Sequence, residues 1–458
     1  MILRRITNVK KYVIALIVLT LGTSFLYEFE TLTGVTWNEA GHSVLQTLPP
    51  LRGNGRPAPA KVEPDDFFSI PPVSEESIRS VCRQTQWNES LVFTCNESFG
   101  GIGNIRNSVL LCVRFAMEAG AALVLPQILR RDDDIANYKT QNTTEFGYMF
   151  DTQHFYKSIQ QSCPEMTIYP TLDDVIKTHN YTGEVNRLRF QPESLTGDGL
   201  IKTDIWRDMF FAWLEQHQPS PLPGRLGPTV IDLERCYMSY PIYSDGEAFA
   251  LSFGLMLQLR EDIRMLASKV LKGLAERLSF ADVDLQNEIL PDAYFGAHLR
   301  VEQDAQVTWN TKFGWTHASY EKQAEDYLAQ ASQSRRSRPK GIYVASGDVE
   351  GTLRFVKDAA QKNLTAVGKF DVLQAQDLSA LQALRWDQQA LIDYLILLRA
   401  SDFAGVAHSS FSWSIALKRH TWAKKEGKYL DAPEKLHDNL SVVYGVVGGE
   451  NFPEALWP

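Results

Sequence analysis

Several short segments of the chain combine residue types suited to holding a charged ligand that carries a flat ring. Gly100, Gly101, Ile102, Gly103 and Asn104 form a glycine-rich turn that opens a long apolar-periodic segment. Without a Cβ at Gly100, Gly101 and Gly103 a ligand can approach the backbone, and the first N–H groups of a helix beginning near Asn104 have no partners within it, so an anion is the natural occupant. The same pattern is also ordinary punctuation before a helix. His298, Arg300, Glu302 and Asp304 follow the apolar run AYFGAHL. The planar fork of Arg300 matches two phosphate oxygens at once, although an arginine at a strand end is also commonly a salt-bridged surface residue. Ser409, Ser410 and Phe411 follow the run DFAGVA. Hydroxyls at a helix start make a second phosphate cradle, and Phe411 offers a flat face to a nucleobase; the plain alternative is an N-cap beside a core aromatic. Asp393 lies inside the apolar run QQALIDYLILLRA, where a buried carboxylate needs a partner.

The elements that must position these groups read as alternating strands and helices. LVFT, the helix after Asn104 and ALVL form one series. AYFGAHL, GIYVA, a helix over Thr352 to Gln361, a helix over Asp387 to Ala400, DFAGVA and a helix from about Ser412 form another. Such alternation predicts βαβ units and parallel sheets, with ligands outside the carboxyl ends of the strands. Between the two series, LSFGLMLQLREDIRMLASKVLKGLAERL has the spacing of one or two amphipathic helices.

A net charge of -9 over 458 residues, with no Lys/Arg-rich run in the body, excludes a nucleic-acid partner. Arg4, Arg5, Lys10 and Lys11 precede an uncharged apolar stretch from Tyr12 to Tyr27, which reads as an uncleaved signal anchor with a cytosolic N-terminus. A cleavable signal peptide is the rival, with only Gly22 and Ser24 resembling a cleavage site. A loose Pro- and Gly-rich segment then reads as a stem. Sequons at Asn88, Asn96, Asn142, Asn180, Asn363 and Asn439 are usable only in the secretory pathway. All five cysteines lie beyond the anchor. Cys82 with Cys95 is the preferred bridge, because it closes a short loop, while Cys112 is expected to be a small buried apolar residue in mid-helix. Asp132, Asp133 and Asp134 could form a metal-binding DxD element, but Arg130 and Arg131 precede them and a solvated charged loop explains the run as well. No metal site is expected.

From about Asn96 to Thr421 the chain resembles the GDP-fucose O-fucosyltransferase superfamily. GGIGNIR is similar to that family's GGLNQMR block, MFDTQHF to IFDxxHF, AHLRVEQD to HLRYExD and GIYVASGD to IYxAxGE, and LIDYLILLRASDFAG matches its late helix-strand block. The resemblance implies a GT-B-like α/β fold of two facing Rossmann-like domains that inverts the sugar anomer without a metal ion. It implies that Asn104 contacts the donor, that His298 and Arg300 hold its diphosphate, that Asp393 reads guanine, and that Ser409, Ser410 and Phe411 bind phosphate and base. Arg106 of the glycine block joins the expected donor-binding set. Gly101 stands where one branch of the family has Arg, Gly100 where another has a carboxylate base, and Val301 where a second basic residue often follows HLR. Glu302 and Asp304 are therefore the candidates for a general base.

The expected layout is a cytosolic tail at 1–11, an anchor at 12–28 and a stem at 29–80, then an acceptor-side domain at 81–285 and a GDP-sugar domain at 286–458. The expected activity is transfer of fucose from GDP-fucose to a hydroxyl of a protein or glycan. The enzyme would be a single-pass type II protein of the Golgi or endoplasmic reticulum membrane, with a GDP-sugar as co-substrate and no other cofactor. The alternatives are another GDP-sugar in the same fold, or a non-catalytic lumenal binding or scaffold protein.

Overall fold

The computed structural model describes residues 66–130, 142–183, 185–196, 203–217, 227–236, 240–333, 339–425, 438, 440–446 and 454–458. The expected anchor Tyr12 to Tyr27, the run Asp132 to Asp134 and the sequon Asn439 lie outside the described residues. Among those described, no helix is long and apolar enough to cross a membrane.

Two five-stranded parallel sheets form the frame. The first contains β1 (Asn88–Thr94), β2 (Ala121–Val124), β3 (Ile168–Tyr169), β4 (Asn186–Phe190) and β5 (Thr229–Leu233), in the order β3-β2-β1-β5-β4. The second contains β6 (Phe295–His298), β7 (Ile342–Ala345), β8 (Ala366–Val367), β9 (Asp402–Val406) and β10 (Ser441–Tyr444), in the order β8-β7-β6-β9-β10. Strands β2, β6, β7 and β9 are buried along their whole length, the pattern of strands covered on both faces. In each sheet the winding reverses beside the central strand, between β1 and β5 and between β6 and β9. The crevice at the carboxyl ends of those strands is where such sheets bind ligands.

Five helices matter for the site: α1 (Glu76–Gln84), α2 (Ile102–Glu118), α3 (Glu261–Arg277), α4 (Trp386–Arg399) and α5 (Ser410–Lys425). Helix α2 is buried almost throughout, because β1 and β2 flank it in sequence and α5 of the other lobe packs along it. The stretch read as one or two helices resolves into Glu247–Phe253, a short 3-10 turn and α3. Helix α3 buries Ile263, Leu266, Ala267, Val270, Leu271 and Leu274 and packs along α4. One apolar cluster runs through both lobes, so the lobes share a core as well as a cleft.

Three expectations about layout and bridges are corrected. The folded part begins before residue 81: Phe68 and Val73 are buried, Asp66 pairs with Arg264 at 2.8 Å, and α1 starts at Glu76. The composition of the preceding segment concealed these apolar anchors. Residues 454–458, expected in the second domain, return to the first lobe, where Asn107 accepts from the Trp457 N–H at 2.9 Å and donates to Ala455 O at 3.0 Å. The disulfides are Cys82–Cys163, with Cα atoms 5.4 Å apart, and Cys95–Cys112, at 6.3 Å, while Cys236 is buried and belongs to neither bridge. Strand β1 carries Cys95 away from α1, and α2 lies back along the strand so that Cys112 meets it. Helix α1 packs instead on the helix Thr152–Ser162, whose C-cap is Cys163.

Candidate active site

A cavity of about 550 Å³ opens between the lobes, lined by Gly100, Gly101 and Asn104 from the first and by groups following β6, β7, β8 and β9 from the second. Gly100 has a φ of +110°, in the left-handed region, and a Cβ there would lie 2.6 Å from Asn104 Nδ2. Gly101 is the N-cap of α2 and lends it no side-chain cap. The place of its absent Cβ has nothing within 4 Å. Asn104 lines the cavity beside these glycines, and its buried Oδ1 has no hydrogen-bond partner among the described residues.

Two residues of this block have other duties. A Cβ on Gly103 would lie 2.4 Å from Ser410 O, so this glycine lets α5 meet α2 closely and does not admit a ligand. Arg106 is buried and donates to Trp457 O at 2.9 Å, to Gly254 O at 2.7 Å and to Pro458 O. Its guanidinium anchors residues 457 and 458 and does not line the cavity, which corrects its expected donor-binding role.

Strand β6 delivers His298 and Arg300 to the cavity wall. Gln323 clamps the Arg300 backbone, its Oε1 accepting the N–H at 2.8 Å and its Nε2 donating to the carbonyl at 3.0 Å. Asp304 takes the guanidinium at two points, 2.9 and 2.6 Å, and Glu302 accepts from Nη1 as well. Burial would lower the arginine's pKa, but Asp304 and Glu302 outweigh it and raise it. For Glu302, burial raises the pKa, yet Arg300 prevails and leaves it lowered. Glu302 Oε1 also accepts the Gly347 N–H at 2.8 Å, tying the arginine to the turn after β7. Both acids, expected as base candidates, are occupied in holding Arg300, and Asp304 is not on the cavity wall.

The His298 ring is pushed down to about 4 by burial, with Glu302 opposing and Arg300 adding to the shift, so it is neutral at physiological pH. Its Nδ1 lies 2.7 Å from Ser412 Oγ, which accepts the Val406 N–H at 3.1 Å. A Ser412 hydroxyl that donates to Nδ1 leaves the proton of the neutral ring on Nε2. Phe411 packs on the His298 ring at 4.5 Å between centroids and edge-on to Tyr394 at 5.6 Å. Ser409, Ser410 and Phe411 all line the cavity, Ser410 as the first residue of α5.

Asp393 has the partner that its burial requires. Its Oδ2 accepts from Lys369 Nζ at 2.6 Å and its Oδ1 from Tyr343 Oη at 2.7 Å, while the carboxylate remains on the cavity wall. Burial raises its pKa against the opposing pull of Lys369 and Tyr343. Sequence reasoning missed Lys369, Ser412, Gln323 and His408. Lys369 follows the two-residue strand β8, too short to register as periodicity. Ser412 was visible only as part of a hydroxyl-rich helix start. The MFDTQHF block contributes Met149 to the wall, and the rest is scaffold: Asp151 caps its helix through the His154 N–H at 3.0 Å and pairs with Arg264 at 3.1 Å. Asn88, Asn142, Asn180 and Asn363 are exposed and Asn96 is half-buried.

The sequence profile of the GDP-fucose protein O-fucosyltransferase family matches residues 91–219 and 247–421, more than half of the chain. The chain belongs to this family. The matched stretches hold the cavity groups Gly100, Gly101 and Asn104, His298, Arg300 and Glu302, Asp393, and Ser409 to Phe411. Among solved structures of fucosyltransferases, POFUT1 in complex with GDP is 14% identical, with 79% of this chain and 100% of that one covered and a TM-score of 0.45. POFUT1 in complex with GDP-fucose gives 14%, 79%, 99% and 0.43 in the same order. The fucosyltransferase NodZ from Bradyrhizobium gives 14%, 71%, 91% and 0.38. A search of curated proteins returned no match.

Proposed function

We propose that this O-fucosyltransferase family member transfers fucose from GDP-fucose to a hydroxyl of a protein or glycan, in an inverting and metal-independent reaction within a GT-B-like frame. The observation that carries the reading is the convergence of Arg300, His298, Asn104 and the start of α5 on one cavity between two parallel sheets. Breaking the bond between the anomeric carbon and the diphosphate builds negative charge on the departing GDP. Arg300, kept protonated by its two acids, neutralises that charge. The Nε2–H of His298 and the N–H groups at the α5 N-terminus supply donors fixed in advance, so little reorganisation accompanies the step. Glu302 and Asp304 hold Arg300 in place, and proton removal from the acceptor hydroxyl is secondary to leaving-group departure.

Val301, the departure that most favours a non-catalytic binding protein, is buried in the second-lobe core and not on the cavity wall. A basic residue lost at this position therefore leaves the cavity's own charge unchanged. A different GDP-sugar remains the second reading, because the named contacts address the nucleotide end. The apolar stretch from Tyr12 to Tyr27 and the sequons support a type II protein of the Golgi or endoplasmic reticulum membrane with its catalytic part in the lumen. Measuring GDP release from GDP-fucose tests the reading: Arg300→Ala should lose turnover by about 10²- to 10³-fold, and equal turnover in both proteins refutes it.

A further inference from the structure

We infer that Lys369 is a base-reading residue: its ammonium donates to the exocyclic oxygen of a 6-oxopurine while Asp393 accepts the neighbouring ring N–H. The inference rests on the proposed nucleotide reading and adds a residue that selects the base.

Lys369 begins the 3-10 turn Lys369–Asp371 directly after β8. Asp371 fixes the turn, its Oδ2 accepting the Gly368 N–H at 2.7 Å and its own N–H donating to Gly368 O at 3.1 Å. The lysine side chain is only 7% exposed, and its Nζ sits 2.6 Å from Asp393 Oδ2. Tyr343 holds the other carboxylate oxygen at 2.7 Å. Lys369 and Asp393 both line the cavity, as does Phe370, which is 44% exposed. The exposed ring lies 5.3 Å from the Lys369 ammonium.

A buried ion pair is a poor source of stability, since desolvating both charges offsets most of their attraction. This pair also stands on the wall of an open cavity, where a purely structural bridge would gain nothing from its position. Each partner keeps capacity for a ligand: the ammonium has three donors and spends one on Asp393, and each carboxylate oxygen has a second lone pair. A fixed donor beside a fixed acceptor complements the edge of guanine, where O6 accepts and N1–H donates side by side. Adenine reverses both groups, setting an amino group against the ammonium and a bare ring nitrogen against the carboxylate. Such a mismatch leaves buried charges unpaired, which is how polar sites reject near-isosteres. Phe370 adds a flat face beside that edge.

Calorimetric titration of the full chain in detergent micelles with GDP, and with its analogue carrying sulfur in place of O6, tests the assignment. Sulfur is the weaker acceptor, so the wild type should bind GDP about tenfold more tightly than the analogue. Lys369→Met should weaken GDP roughly 10- to 100-fold and bind both nucleotides alike, and Lys369→Arg should keep the preference. Inorganic pyrophosphate reports on the diphosphate end and should bind wild type and Lys369→Met equally. If Lys369→Met still binds pyrophosphate and keeps the wild-type ratio, Lys369 only positions Asp393 and the inference is overturned. If Lys369→Met no longer binds pyrophosphate, Lys369→Arg decides: a retained preference supports the inference and a lost one overturns it. A wild type that ignores GDP sinks the nucleotide reading itself, a distinguishable result.

Discussion

The Asp304 carboxylate grips the Arg300 guanidinium at two points, Oδ1 to Nη1 at 2.9 Å and Oδ2 to Nη2 at 2.6 Å, from a position 4 residues further along the chain. This fork fixes the plane of the arginine before any ligand arrives, and Glu302 fastens the same group to the turn after β7. Asp304 acts through Arg300, so its loss should not add to the loss of Arg300. Asp304→Asn should lower turnover about tenfold, and the double variant with Arg300→Ala should match Arg300→Ala alone. Steady-state GDP release by the three proteins gives the cycle directly.

Two glycines of the first lobe, Gly101 on the cavity wall and Gly103 between α2 and α5, should separate binding from stability. Gly101→Ala meets nothing within 4 Å at an ordinary φ of -77°, so it should fold normally while a methyl group obstructs the approach to the α2 N-terminus. Gly103→Ala places a carbon 2.4 Å from Ser410 O and should destabilise the protein by about 1–3 kcal/mol through overpacking between α2 and α5. Thermal melts with and without GDP distinguish them: a lower melting point only for Gly103→Ala, and a weaker GDP response with an unchanged melting point for Gly101→Ala.

Ser412 should set the His298 tautomer. With the hydroxyl present, the 15N shifts of His298 should report hydrogen on Nε2 and an acceptor at Nδ1. Ser412→Ala removes that restraint, and the spectrum should show a mixture of tautomers with a fall in turnover of about tenfold. An unchanged spectrum shows that the ring is held by burial and by Phe411 alone.

Acid should weaken the fold through two histidines, His298 and His408. Burial holds His298 down to about 4 and His408 down to about 3, with Arg300 and His298 adding to the second shift. The unfolded chain takes up these protons near pH 6.5 and the folded chain resists them, so their contribution is complete above about pH 6.5 and is lost as pH falls toward about 4. Chemical denaturation from pH 7 to 4.5 should show a shallower loss for His408→Gln than for the wild type.

Much of this arrangement was legible because it is local in sequence. Glycine turns, strand-end His298 and Arg300, and the hydroxyls after β9 follow buried strands whose apolar runs are continuous, so both parallel sheets and most cavity groups could be placed. What was missed depends on chain segments that meet only in three dimensions. Cys82 finds Cys163 across a helix pair, Arg106 serves residues 457 and 458, and Gly103 faces Ser410 of the other lobe. Local spacing favoured Cys95 for Cys82 and a ligand for Gly103, the family resemblance favoured a ligand for Arg106, and tertiary packing prevailed in each case. Peptide mapping under non-reducing conditions should recover the Cys82–Cys163 and Cys95–Cys112 linked fragments, with Cys236 labelled only after unfolding.

The central claim is that a guanosine diphosphate group occupies the cavity between the sheets with its phosphates on Arg300. Melting the full chain with millimolar GDP, wild type beside Arg300→Ala, addresses it most directly, since a ligand bound to the native state raises the melting point by mass action. A clear rise in the wild type that disappears in Arg300→Ala is the expected result. No rise in the wild type, or the same rise in both proteins, contradicts the claim.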